Sequence, residues 1–206
     1  MVLVGVFESP FVRRVAITLK LLGLPFERRA LCAVRNFDAL CEVNPVGKAP
    51  TLITDEGDML IDSTLIIDYA ESLASPGRSL IPVDAMQRRK SLRVTGLALA
   101  AAEKTIQTIY EGFFRPEEKR HAPWVERVQA QMDAAFRLIE QDALAADPWF
   151  FGRSVTQADV TAAVAWQFAQ HILPDTAASR VGAYPALHAL SERAKALDAF
   201  HSTPIS

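Results

Sequence analysis

The chain predicts a mixed α/β domain over residues 1–78 followed by an all-helical domain over 84–206, and two observations carry that reading. Up to about residue 78 short β-branched runs alternate with helical ones, whereas from Asp84 onward long Ala-, Gln- and Glu-rich stretches keep helical periodicity with almost no strand pattern. Between the two stand Ser75-Pro76-Gly77 and Pro82, residues that stop helices and make turns. A length of 206 residues allows each part a core of its own.

Taken in order, Val2 to Phe7 reads as a first strand. A helix from about Pro10 to Leu22 follows, with Ser9 as a good N-cap, Gly23 as its stop and Pro25 just beyond. Phe26 to Leu31 is the second strand, and a looser helical stretch around Phe37 to Glu42 leads to the turn Asn44-Pro45-Val46-Gly47. Thr51 to Thr54 and Met59 to Ile61 form a hairpin across Asp55-Glu56-Gly57-Asp58, and a helix begins at about Ser63. The order β-α-β-α-β-β-α is that of a thioredoxin-like domain, with two parallel strands and a terminal antiparallel hairpin in one sheet. The second part reads as helices at about 85–112, 123–145, 156–172 and 185–197. Pro116, Pro123, Pro148, Pro174 and Pro185 fall between them or in their first turns, where proline is tolerated. Thr156 and Asp159, before a nearly all-apolar run, form a T-x-x-D capping pattern, which is structural and not catalytic.

Half the residues are apolar, 22% are charged and the net charge is -2, an ordinary globular profile without the basic footprint of a nucleic-acid partner. The opening residues are apolar but short and lack a basic leader, so they read as a strand and not as a signal peptide. No uncharged apolar run approaches the ~20 residues of a membrane span, and the chain reads as cytoplasmic. Cys32 and Cys41 have neither C-x-x-C nor metal-ligand spacing, so a redox dithiol or a zinc site is not indicated and no metal is expected. The four histidines, at 121, 171, 188 and 201, show no ligand or triad spacing.

Chemistry concentrates at three places in the first domain. Ser9-Pro10 opens a helix whose unpaired N–H groups and positive dipole end favour an anion, and a cap hydroxyl can donate to a bound thiolate and lower its pKa. Pro50, in Lys48-Ala49-Pro50-Thr51, stands before a strand and cannot join its ladder, which implies an edge or a special conformation. Asp62-Ser63 caps the third helix; its N–H groups and hydroxyl can instead hold a ligand carboxylate while Asp62 meets an amino group.

In this order, Ser9-Pro10-Phe11-Val12-Arg13-Arg14-Val15, Asn44-Pro45-Val46-Gly47-Lys48-Ala49-Pro50 and Asp62-Ser63 resemble the glutathione-binding half of glutathione transferases. The likeness is nearest to the serine-type tau and zeta classes and their bacterial relatives. It runs through the second half as well, at Ser154 to Asp159 and from Tyr184 to Phe200. The resemblance implies that Ser9 hydrogen-bonds the sulfur of glutathione, a co-substrate, with Phe11 beside it. It implies that Ala49, before a cis Pro50, pairs its main chain with the cysteinyl part, that Lys48 approaches the glycine carboxylate, and that Asp62 and Ser63 hold the γ-glutamyl end. Arg13 and Arg14 add positive potential or form structural salt bridges. Tyr110, Phe113, Phe114 and Trp166 lie on helices that in relatives face the second-substrate pocket, while aromatics at helical spacing also serve a core. The activity implied is thiol addition to, or displacement on, a small electrophile by a homodimer. A zeta-like cis/trans isomerase, a thiol-disulfide reductase and a non-catalytic binding protein are the alternatives; a reductase usually carries cysteine in place of Ser9.

Overall fold

A computed structural model of the protein describes residues 1–174, 176 and 181–205. It shows two compact units, Met1–Ile81 joined by the segment from Ala196 onward, and Pro82–Lys195.

Unit 1 contains β1 (Val2–Val4), α1 (Pro10–Leu22), β2 (Glu27–Arg29), α2 (Phe37–Val43), β3 (Thr51–Ile53), β4 (Met59–Ile61), α3 (Ser63–Ser72) and the short α8 (Asp198–His201). The sheet order is β2-β1-β3-β4, with β1 and β2 parallel and the other pairs antiparallel, so the predicted thioredoxin-like arrangement is present. In α1, Val12, Val15, Ala16 and Leu19 recur at helical spacing and are wholly buried, as are Ile66 and Ala70 of α3, the helix it packs against. Gly23 closes α1 at φ 75°, where the left-handed region suits glycine, and Leu24 N–H reaches back to the Leu19 carbonyl at 2.9 Å. The first strand is shorter than expected. It ends at Val4 because Gly5 turns at φ 144°, where an added Cβ would lie 2.4 Å from Val12 Cγ2.

Unit 2 holds α4 (Ala85–Phe114), α5 (Ala122–Ala143), α6 (Gln157–Ile172) and α7 (Pro185–Lys195). Among these α6 is central, buried from Gln157 through Ala169 and packed on α4 and α7. A helix apolar on every side belongs inside a bundle. Its predicted cap is present: the wholly buried Asp159 carboxylate accepts from Thr156 N–H (2.8 Å), Thr156 Oγ1 (2.6 Å) and Phe150 N–H (2.9 Å).

The second domain was expected to run on to residue 206, but the segment from Ala196 onward belongs with unit 1. Arg13 of α1 explains the difference: its Nε donates to the Thr203 carbonyl at 2.7 Å and its guanidinium lies 5.5 Å from the centre of the Phe200 ring. Lys20 Nζ adds a 2.8 Å bond to Ser202 Oγ.

Candidate functional site

The sheet register gathers the predicted site residues. Thr51 pairs with Val4 on one side and with Ile61 on the other. The chain leaving Val4 toward Ser9, the chain entering Thr51 through Ala49-Pro50, and the chain leaving Ile61 into Asp62-Ser63 therefore meet at one end of the sheet.

Ser9 is the N-cap of α1, its Oγ accepting from Val12 N–H at 3.4 Å. A hydroxyl has one proton and two acceptor positions. The cap uses an acceptor position, and among the described residues nothing takes the proton. Pro10 has no N–H to offer, so the open donor in the first turn of α1 is the Phe11 N–H, which has no partner among the described residues. Phe11, in that turn, is half-buried.

The Ala49–Pro50 peptide bond is cis, as the resemblance implies and as the special conformation left open by the bare residues allows. Among the described residues none hydrogen-bonds the Ala49 main-chain N–H or carbonyl. The turn before it is fixed by Asn44, whose Nδ2 donates to the Lys48 carbonyl (3.0 Å) and to Thr51 Oγ1 (2.9 Å). Lys48 itself points its side chain out, exposed and without a partner among the described residues.

Asp62 caps α3 at φ 74°, the one non-glycine residue with positive φ among those described, and its Oδ1 accepts from Thr64 N–H at 2.8 Å. A left-handed aspartate is a sparsely populated, strained conformation. Beneath it lies Arg14, 2% exposed, with Nη1 donating to Ser63 Oγ (2.9 Å) and Thr64 Oγ1 (3.3 Å) while its buried Nε has no partner. Burial pushes this guanidinium down to about 10 and nearby Asp62 pulls it up, so it stays charged at neutral pH. The sequence shows Arg14 only as one charge of a pair, because nothing in a helical pattern says which arginine of Arg13-Arg14 turns toward α3. Glu8, beside Ser9, is bound through both oxygens by Arg35 Nη2 at 2.8 and 3.0 Å, a second contact the sequence did not reveal.

In unit 2 the four predicted aromatics divide. Trp166 is wholly buried, edge-to-face with Phe136 (5.3 Å) and Tyr184 (5.5 Å), so of the two roles left open for it, pocket wall and core, it packs in the core of unit 2. Tyr110, Phe113 and Phe114 are 41%, 65% and 58% exposed and stack edge-to-face at the end of α4. Among the described residues no group of His, Cys, Asp and Glu is close enough to hold a metal ion, and no helix is long and apolar enough to cross a membrane.

Cap, unpaired main chain and strained acidic turn thus stand together at one end of a four-stranded sheet. Comparison with known proteins gives the class. Residues 3–78 match the glutathione S-transferase N-terminal domain, and residues 122–193 match the C-terminal domain. YibF, an uncharacterized GST-like protein of Escherichia coli K12, is 34% identical over 140 residues, 68% of each chain. Glutathione S-transferase U6 of Arabidopsis thaliana is 28% identical over 160 residues, 78% of this chain and 67% of its own. A glutathione S-transferase from Methylobacterium radiotolerans, solved in complex with glutathione sulfonate, matches with a TM-score of 0.89 at 25% identity over 98% of this chain and 93% of that one. This chain belongs to the glutathione S-transferase family.

Proposed function

We propose that the chain is a glutathione transferase that lays glutathione across the open end of the unit 1 sheet and activates its thiol. The observation that carries this reading is the unpaired main chain of Ala49, set between the N-termini of α1 and α3 by the register of Thr51 with Val4 and Ile61. An extended peptide can pair with that main chain as an added strand does. Its γ-glutamyl carboxylate then meets Ser63 and the first turn of α3 over the buried Arg14 charge, and its amino group meets Asp62. Lys48 is placed for the glycine carboxylate.

The sulfur falls to Ser9. A free thiol of pKa ~8.5 is only about 3 per cent thiolate at pH 7. The unclaimed Ser9 proton and the positive end of α1 both favour the charged form, and a drop of about two units makes thiolate the major species. The thiolate then attacks an electrophilic carbon. Its sulfur lone pair forms the new bond, and either a leaving group departs with the displaced pair or the pair moves into a conjugated acceptor that takes up a proton. Serine at this position, not cysteine, favours transfer over disulfide reduction. Tyr110, exposed at the end of α4, is assigned to the electrophile, and the working form is a cytoplasmic homodimer.

Calorimetry with glutathione, followed by turnover with a chlorodinitrobenzene, an enal, a cis-unsaturated diacid and a mixed disulfide, tests the reading. Saturable glutathione binding with turnover on at least one carbon electrophile is expected. Failure to bind glutathione at millimolar concentration overturns it.

A further inference from the structure

We propose that Arg13 is a positioning residue for the thiol site, holding Ser9 in place by fastening α1 to the segment that runs from Ala196 onward. The inference deepens the reading above and rests on it, since the placement of Ser9 matters to the sulfur only where glutathione meets it.

The first turn of α1 has few bonds with which to hold its own cap. Pro10 has no N–H, and the Phe11 N–H has no partner among the described residues. The Val12 N–H reaches Ser9 Oγ only at 3.4 Å, longer than an ordinary N–H bond to oxygen. The bond from Arg13 N–H to the Ser9 carbonyl, at 2.9 Å, is thus the first short one of the helix. With the Ser9 N–H on the Val6 carbonyl at 3.1 Å, it fixes the main chain of the cap residue. Where Ser9 stands therefore depends on where residue 13 stands.

The side chain of Arg13 is 4% exposed and is placed by the returning segment. Its Nε donates to the Thr203 carbonyl at 2.7 Å, and its guanidinium lies 5.5 Å from the centre of the Phe200 ring, within cation–π reach. Both partners are themselves held: Phe200 is 2% exposed, and the wholly buried Thr203 turns its hydroxyl onto the Ala199 carbonyl at 2.8 Å. Two turns further along α1, Lys20 Nζ donates to Ser202 Oγ at 2.8 Å, so the segment holds the helix at two points along its length. Burial pushes the Arg13 guanidinium down to about 10, which leaves it charged at neutral pH. A buried charge deprived of its partners is strongly unfavourable, so residue 13 moves if the segment is loosened. Arg14, next in the chain, turns instead to Ser63 and Thr64 of α3. The adjacent arginines thus fix α1 against two different elements, one at the turn assigned to the γ-glutamyl end and one at the segment that closes the unit.

The test compares the full chain with Arg13→Met, Phe200→Leu and Leu22→Ala. The first two loosen the fastening, and the third removes buried apolar contact at the far end of α1 as a control for lost stability alone. Two quantities are measured where each protein is folded: the pKa of the bound glutathione thiol, by thiolate absorbance, and amide hydrogen exchange at position 13 relative to Leu19. Arg13→Met should raise the thiol pKa by about half a unit to one unit, roughly a three- to tenfold loss of thiolate at neutral pH, and speed the relative exchange about tenfold. Phe200→Leu should move both in the same direction by less. Leu22→Ala should lower the melting temperature and leave both as in the wild type. A thiol pKa unmoved in Arg13→Met, or moved equally in Leu22→Ala, overturns the proposal while the proposed function stands. Should Arg13→Met not fold, Phe200→Leu decides by the same criteria. A wild type that binds no glutathione overturns the proposed function, and this proposal with it.

Discussion

At the scale of single residues, one hydroxyl can cap a helix and still have a proton to give a ligand, and the role proposed for Ser9 can be parted from its role as a cap. Its oxygen caps α1 while its proton stays unclaimed. Ser9→Gly keeps a tolerated cap at a cost of a few tenths of a kcal/mol (roughly) but removes that proton. The variant should fold and bind glutathione, and its bound thiol should ionise at higher pH, as a titration of thiolate absorbance will show; coincident curves would make Ser9 a cap alone. Arg14 poses the complementary case. Removing Arg14 relieves a buried charge with an unsatisfied Nε but deletes charge-assisted hydrogen bonds to Ser63 and Thr64 worth about 1.5–3 kcal/mol to the fold. Arg14→Met should therefore lower the melting temperature only modestly and weaken glutathione binding per folded molecule about tenfold or more. A lower melting temperature with affinity intact would make Arg14 a packing residue only. Ser9, Pro50 and Asp62-Ser63 were legible in the sequence because caps and prolines are local signals. The burial of Arg14 and of Trp166 was not, since both depend on which neighbours the tertiary fold brings.

At the scale of elements, the boundaries follow backbone chemistry more closely than hydrophobic pattern. The apolar run Val2 to Phe7 suggested a longer strand, but Gly5 at φ 144° lets β1 turn under Val12. An alanine there meets both a strained dihedral and a contact no Cβ tolerates. Gly5→Ala should cost about 2 kcal/mol or more in urea unfolding. The α6 cap makes a prediction with a pH sign. Burial pushes the Asp159 carboxyl up, although hydrogen bonds from Thr156 and Phe150 to its charged form pull it down. The folded value then lies above the ordinary one near 3.9, so the stability this group contributes through its proton is complete below about pH 4 and is lost as pH rises through the folded value. Asp159→Ala leaves buried donors unpaired, at about 1–3 kcal/mol, and it cannot titrate. The gap between wild type and variant should narrow from pH 4 toward neutrality in unfolding measurements, with glutathione affinity per folded molecule unchanged.

At the scale of the whole molecule, the two units were legible as a change of periodicity near residue 78, but the return of the last segment to unit 1 was not, because Ala196 to Thr203 carries no strand or long-helix pattern to place it. The proposed twofold homodimer would cover exposed apolar side chains of each unit, Met59 and Leu65 in the first and Met86 and Leu92 in the second. Light scattering at micromolar concentration should report twice the 22.6 kDa of one chain, and Leu65→Arg should lower it toward the single mass. The returning segment also orders events in time. A ribosome releases α1 long before Thr203, so the carbonyl that Arg13 binds and the ring it lies against do not exist while the first unit is emerging. The first unit is therefore made first and finished last, its final side sealed only after all of α4 to α7 has been synthesised.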